Sequence, residues 1–294
     1  MVRNYLSLVK FSHTIFAMPF ALLGFTLAAF PGGQPAMEGN RIWLIFIAVV
    51  VCMVTARSAA MAFNRWLDRH FDAKNPRTAI REIPAGIVSP EGALRFTLFM
   101  AAAFIVTTAL INPLCLTLSP VALAVVLGYS YTKRFTPLCH LVLGVGLSLA
   151  PIGAYLAVTG AFAFLPILFS FAVLCWVSGF DIIYALQDVE FDRSQGLHSI
   201  PALMGRAGAL RVSRLLHVLS AAFIGWAGVA GGFGVSFWVG AAVFCGMLAY
   251  QQSLVRPDDL SRVNIAFMTA NGVASVVFGV LALIDILHLF QWPV

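Results

Sequence analysis

Asn64, Asp68 and Asp72 recur every four residues in Asn64-Arg65-Trp66-Leu67-Asp68-Arg69-His70-Phe71-Asp72. On a continuous helix this spacing puts one amide and two carboxylates on a single face. A second stretch, Asp188-Val189-Glu190-Phe191-Asp192, repeats the pattern D-x-x-F-D. Asp181, Asp188 and Asp192 also share a helical face, at i, i+7 and i+11. Two clusters of hard oxygen ligands suit Mg²⁺, which binds best when a substrate diphosphate completes its octahedron. The chain otherwise avoids acids: six of its 12 acidic residues (Asp68, Asp72, Asp181, Asp188, Glu190 and Asp192) lie in or beside these stretches. Carboxylates near a bilayer boundary are costly unless paired or metal-bound.

Basic residues crowd the same places. Arg65, Arg69, Lys74, Arg77 and Arg81 accompany the first motif, Lys133 and Arg134 stand between the two, and Arg193 follows the second. Arginine binds phosphate oxygens through two parallel bonds, and lysine acts as a point charge. Acids and bases interleave, as in Asp68-Arg69 and Asp72-Ala73-Lys74. That mixture favours a site for a charged ligand over a purely basic lipid anchor. Arg57, seven residues before Asn64, lies on the same helical face. It either contacts a carboxylate on an acceptor or pairs with an acid such as Asp181, and both readings stand. Tyr184 and Gln187 share a helix end with Asp181 and offer hydrogen bonds to a cavity. The six histidines show no ligand spacing and read as polar helix-end residues.

The elements that position these residues are membrane helices. The 294 residues are 61% apolar and only 10% charged, with a mean hydropathy of +0.92. A soluble domain is about 25% charged. The net charge of +6 sits in short loops between apolar runs, a topology signal and not a nucleic-acid surface. The five cysteines are scattered without metal spacing and read as buried free thiols. Nine spans are expected, at roughly 11–30, 42–63, 93–111, 113–130, 138–158, 162–182, 208–230, 234–253 and 264–290. Alternating the loops between two sides puts 16 of the 18 Lys and Arg on the side of the N-terminus and both acidic motifs. The positive-inside rule makes that side cytoplasmic, which implies a bacterial-type inner (plasma) membrane protein. The motifs end spans 2 and 6, which suggests one domain built from a duplicated four-helix unit (about 11–130 and 138–253) plus a ninth helix around a central cavity.

Asn64-x-x-x-Asp68-x-x-x-Asp72, followed by Ala73-Lys74-Asn75-Pro76-Arg77-Thr78 and Arg81-Glu82-Ile83-Pro84-Ala85-Gly86, resembles the first signature of the UbiA-type intramembrane prenyltransferases. Asp181-x-x-Tyr184-x-x-Gln187-Asp188-x-x-x-Asp192, with Gly196-Leu197-x-Ser199-Ile200-Pro201, resembles their second. Tyr131-Thr132-Lys133-Arg134-Phe135-Thr136 is similar to their basic loop after the fourth helix. The resemblance implies an all-α fold of nine helices around a cavity open sideways to lipid, with Mg²⁺ on both motifs holding a polyprenyl diphosphate. It implies Asn64, Asp68, Asp72, Asp188 and Asp192 as metal or diphosphate ligands. Arg69, Lys74, Arg77, Lys133 and Arg134 would contact diphosphate, with Arg193 beside them. Asp181, Tyr184 and Gln187 would line the acceptor side. The chain looks most like the 4-hydroxybenzoate polyprenyltransferases of ubiquinone synthesis. Phe11-Ser12-His13-Thr14-Ile15-Phe16-Ala17-Met18-Pro19-Phe20 and Ala60-Met61-Ala62-Phe63-Asn64-Arg65 also resemble a bacterial group that prenylates 1,4-dihydroxy-6-naphthoate on the futalosine route to menaquinone. Both acceptors are small hydroxylated aromatic acids, and one cationic anchor serves either.

Two other classes share some of these features. A transporter would also carry charge within nine helices, but across the midplane and not clustered at one face. A metal-dependent lipid phosphatase would share the acids and lack the aromatic product. The expected partners are thus a polyprenyl diphosphate, a small aromatic acid and membrane lipid, with no nucleic acid and no obligate protein partner.

Overall fold

The structure, a computed structural model, describes residues 2–9 and 16–288. Lys10, His13, the starts of the first expected span and of the Phe11–Phe20 segment, and the end of the ninth span lie outside the described residues. Helix is the only regular secondary structure among the described residues, with no strand among them. The helices are α1 (Val2–Leu8), α2 (Met18–Ala29), α3 (Gly39–Leu67), α4 (Arg69–Lys74), α5 (Pro90–Ile111), α6 (Pro113–Thr132), α7 (Cys139–Thr159), α8 (Phe164–Ala185), α9 (Val189–Ser194), α10 (Ile200–Ala230), α11 (Val235–Leu254) and α12 (Asn271–Ile286). Seven segments have the length and composition to cross a membrane: α3, α5, α6, α7, α8 continued through α9, α10, and α12 with the π-helical turn (Ile265–Ala270) before it. The shorter apolar α2 and the 20-residue α11 complete a set matching the nine expected spans.

Local chemistry explains the boundaries. Asn112 caps α6 by accepting from the Cys115 amide at 2.8 Å, with Pro113 behind it. Gly160 closes α7 in the left-handed region at φ 65°, which an L side chain rarely adopts. Ser89 caps α5, and Ser199 caps α10. The helix α10 starts eight residues before the expected span at 208, because a break at Gly205 (φ 69°, ψ 172°) separates a short entry turn from the membrane part.

The core is aromatic. Trp176 of α8 is fully buried, with ring centroids 5.5 Å from Phe20, 5.3 Å from Phe180 and 5.6 Å from Phe244. In contrast, Trp43, Leu98, Phe99 and Leu110 are exposed, as side chains solvated by lipid are. Where helices cross, small residues let backbones approach. Gly24 of α2 lies so close to Pro151 of α7 that a Cβ there would collide with the Pro151 carbonyl. Gly24→Leu is therefore expected to cost about 1–3 kcal/mol by overpacking. Thermal denaturation in detergent reads this, and an unchanged midpoint would mean that the two helices are not locked at this crossing.

Two departures from a regular helix shape the site. The expected continuous helix through each motif is broken. The first motif divides at Asp68 (φ −89°, ψ 3°) between α3 and α4, and the second passes through a 3₁₀ turn, Leu186–Asp188, before α9. Across the first break the i to i+4 backbone bonds persist, Asp68 N to Asn64 O at 2.9 Å and Asp72 N to Asp68 O at 2.8 Å. The π-helical turn is satisfied by Gln251 Nε2, which donates to Ala266 O at 2.6 Å, and by Asn271 Nδ2, which donates to Phe267 O at 2.8 Å. Trp176 Nε1 in turn donates to Asn271 Oδ1 at 2.9 Å. The turn sets the Phe267 ring 4.3 Å from that of Tyr184.

Candidate active site

The two motifs and the basic loop meet at one end of the helices, and each of the four motif aspartates faces a cation. Arg134 Nη2 lies 2.9 Å from Asp68 Oδ1, and Arg81 Nη1 lies 2.7 Å from Asp72 Oδ1. Arg77 Nη2 lies 2.5 Å from Asp188 Oδ2, and Lys133 Nζ lies 2.7 Å from Asp192 Oδ1. Arg77 thus crosses from the first motif's loop to the second motif, and the Lys133-Arg134 loop touches both. Asn75 Nδ2 adds a bond to Asp188 Oδ1 at 3.1 Å, and Lys74 Nζ reaches Gln195 Oε1 at 3.4 Å. Asn64 Nδ2 donates to Asp68 Oδ2 at 3.1 Å and to Ser130 Oγ at 3.3 Å.

Charge follows burial here. Burial pushes the Asp68 carboxyl above its ordinary value, against the opposing pull of Arg134. Burial alone would lower Lys133 and Arg77, but Asp192 and Asp188 outweigh it and raise both. The acids differ in openness. The Asp68 and Asp188 side chains are 24% and 12% accessible, whereas Asp192 is closed at 0%. Asp192 also accepts from Ser199 Oγ at 2.9 Å, so the cap of α10 doubles as a prop for the second motif. Lys133→Met would leave that buried carboxylate uncompensated. It is expected to cost about 3–5 kcal/mol of stability, against little change for Lys74→Met on an exposed side chain. Comparing the melting of the two variants checks this, and equal midpoints would count against a structural role for the Lys133–Asp192 pair.

Not every expected residue joins the cluster. Arg69 turns back, donating to Trp66 O at 2.6 Å with its guanidinium over the Trp66 ring. Arg193 is exposed and donates to Ala202 O at 2.9 Å. Gln187 Nε2 bonds the Tyr184 carbonyl at 3.1 Å. Tyr184 is better placed, since its hydroxyl accepts from Arg77 Nη1 at 3.2 Å. Arg57 does not pair with Asp181. Its Nε is buried without a hydrogen-bond partner, and Asp181 instead lies 2.6 Å from Nδ1 of His140. Asn75, His140 and Ser199 are members to which sequence reasoning gave no role in the site, and Arg81 stood only among the general run of basic residues. Asn75 and Arg81 stood within the first signature, where their type alone pointed to polar contact.

A cavity of about 390 Å³ lies between α3, α5, α6 and α7, lined almost wholly by apolar side chains such as Met53, Phe104 and Leu147. Arg57 and Tyr129 are among its few polar lining residues, with Thr108 and Ser119. Arg57 is seven residues before Asn64, about 10 Å along the helix axis, and Tyr129 immediately precedes Ser130, the partner of Asn64.

The donor set fits a hard divalent cation. Four carboxylates and the Asn64 carbonyl are oxygen ligands of the kind Mg²⁺ takes. Asp72 Oδ2 is a buried carboxylate oxygen with no hydrogen bond, which a cation would satisfy. Among the described residues no three acidic, histidine or cysteine side chains converge on one ion by themselves. An ion here would therefore draw ligands from both protein and diphosphate.

Comparison with known proteins agrees with this architecture. Residues 17–273 match the UbiA prenyltransferase family. A 4-hydroxybenzoate octaprenyltransferase of Coxiella burnetii is 32% identical over 280 residues, covering 94% of each chain. Another, of Nitrosococcus oceani, is 31% identical over 85% of this chain and 86% of its own. The apo structure of a UbiA homolog from Aeropyrum pernix superposes with a TM-score of 0.82 and 34% identity, over 93% of this chain and 98% of its own. A UbiA homolog from Archaeoglobus fulgidus, bound to GPP and Mg²⁺, gives a TM-score of 0.70 over 97% of this chain and 99% of its own, at 18% identity, a likeness of fold. Family match, relatives of nearly full length and shared helical architecture lead to one conclusion: the chain belongs to the UbiA prenyltransferase family and is a multi-pass membrane prenyltransferase.

Proposed function

We propose that this enzyme transfers a polyprenyl group from a polyprenyl diphosphate to a ring carbon of a hydroxylated aromatic acid, with 4-hydroxybenzoate as the acceptor. The observation that carries this reading is the junction of an ion-paired acidic and basic cluster with an apolar cavity that holds one arginine, Arg57. The relatives named as 4-hydroxybenzoate octaprenyltransferases support the choice of acceptor.

In this reading Asn64, Asp68, Asp72, Asp188 and Asp192 would hold Mg²⁺, Asp68 and Asp188 being the more open of the acids. Bound there, Mg²⁺ would stabilise negative charge on the diphosphate. Arg77, Arg134 and Lys133 exchange their carboxylate partners for diphosphate oxygens, so that no charge is left unpaired. Lys74, Arg69 and Arg193 lie within the same loops and add positive field. The apolar cavity keeps water from the allylic centre as the C–O bond lengthens. Tyr184, Gln187 and Asp181 face the acceptor, and Arg57 binds its carboxylate. The concentration of Lys and Arg on the motif side supports a cytoplasmic active site in a bacterial inner membrane.

The test is to incubate the purified protein with Mg²⁺, GPP and either 4-hydroxybenzoate or 1,4-dihydroxy-6-naphthoate, and to read products by mass. Prenylated hydroxybenzoate is expected. Prenylated naphthoate alone would move the enzyme to menaquinone synthesis, and intact GPP with both would end the proposal. Arg57→Ala is expected to raise the acceptor KM by about tenfold or more while leaving the KM of GPP within twofold, the loss of one charge-assisted contact. An unchanged acceptor KM would return Arg57 to a structural role.

A further inference from the structure

His140 opens α7 and is 3% exposed. Its Nδ1 lies 2.6 Å from Oδ2 of Asp181 on the neighbouring α8, and its Nε2 is buried with no hydrogen-bond partner. The Asp181 side chain, by contrast, is 25% accessible, and its Oδ1 makes no hydrogen bond to a described residue. The pair is therefore asymmetric: a closed imidazole grips one oxygen of a partly accessible carboxylate. Tyr184, one turn further along the same face of α8, accepts from Arg77 Nη1 at 3.2 Å, which puts Asp181 one helical turn from the ion-paired cluster.

We infer that His140 is a positioning residue, which fixes Asp181 through Nδ1 so that the second carboxylate oxygen accepts a hydrogen bond from the acceptor's ring hydroxyl. This rests on the aromatic-acceptor reading above. A carboxylate on a single flexible bond samples several rotamers, and a short bond from a buried ring selects one of them. A hydroxyl that donates to a fixed carboxylate pushes electron density into the ring at the adjacent carbon, where the new carbon–carbon bond forms as the allylic C–O bond breaks, its electron pair leaving with diphosphate, and the proton on that ring carbon is then released as aromaticity returns. Arg57 at one end of the acceptor and Asp181 at the other would then set which ring carbon meets the allylic centre.

The experiment uses the full chain in lipid nanodiscs with Mg²⁺, GPP and 4-hydroxybenzoate, the naphthoate being run in parallel. His140→Ala is expected to lower kcat on the order of 10- to 100-fold with the KM of GPP unchanged. His140→Asn, whose Nδ2 donates from nearly the position of Nδ1, is expected to recover most of that loss. Wild-type kcat in His140→Ala would overturn the inference, and so would equal impairment of the Ala and Asn variants, which is what a packing role gives. If the wild-type enzyme prenylates neither aromatic acid, the acceptor reading falls and the inference with it. Changes confined to the variants of an active wild-type enzyme bear on His140 alone.

Discussion

Asp188→Asn is expected to cut turnover by about a thousandfold while the protein still folds and inserts. The substitution keeps an oxygen that can accept from Asn75 Nδ2 and Arg77 Nε, both 3.1 Å from Asp188 Oδ1. It removes the charge, and with it the 2.5 Å contact from Arg77 Nη2 to Oδ2. Removing one partner of a fully buried pair costs about 3–5 kcal/mol, but Arg77 keeps 30% of its side chain accessible and can hydrate once released. The structural penalty is thus smaller, and the chemical one dominates, because a neutral amide is a poor ligand for Mg²⁺. Asp68→Asn, at the most open of the four acids, should behave alike. Initial rates with GPP, read beside melting curves, separate the two effects. Full activity in both variants would remove these residues from the metal site, and unfolding of both would leave them as structural ion pairs.

The helices were legible from composition because lipid leaves the backbone so few alternatives. Their ends were less so. The start of α10 at Ile200 depends on a Ser199 cap and a break at Gly205, neither of which alters apolar content. Within the site, spacing told which residues lie near each other and not where their side chains turn. Arg193 directly follows Asp192 yet points to Ala202 O, whereas Arg77, far from the second motif in sequence, bonds Asp188. His140 and Asp181 are 41 residues apart, and no helical period links them. A contact of that kind arises only from the packing of α7 on α8, so His140 read as a helix-end residue until its partner was seen. The even helix through each motif failed for a related reason: the chain departs from it at Asp68 and at Leu186–Asp188, where the acids pair with Arg134 and Arg77 from distant segments.

Those four ion pairs give chelation a distinctive expected outcome. EDTA should abolish turnover, a loss of about a thousandfold or more, yet leave the melting midpoint where it was. Each acid already carries its own cation, so the metal-free protein has no uncompensated cluster of negative charge to drive it apart. The same pairs oppose Mg²⁺ added alone, since an ion that takes Asp68 or Asp188 strands Arg134 or Arg77. Diphosphate removes the conflict by receiving the released arginines. Mg²⁺ with GPP together should therefore stabilise the fold far more than either alone, by about 2.7 kcal/mol when the Mg²⁺–GPP complex is present at a hundred times its dissociation constant. Tryptophan fluorescence melts in detergent with EDTA, Mg²⁺, GPP and Mg²⁺ plus GPP would read this directly. If Mg²⁺ alone raised the midpoint as much as the pair of ligands, the acids would be a preformed metal cage, and the exchange of Arg77 and Arg134 from carboxylate to diphosphate would have no part in binding.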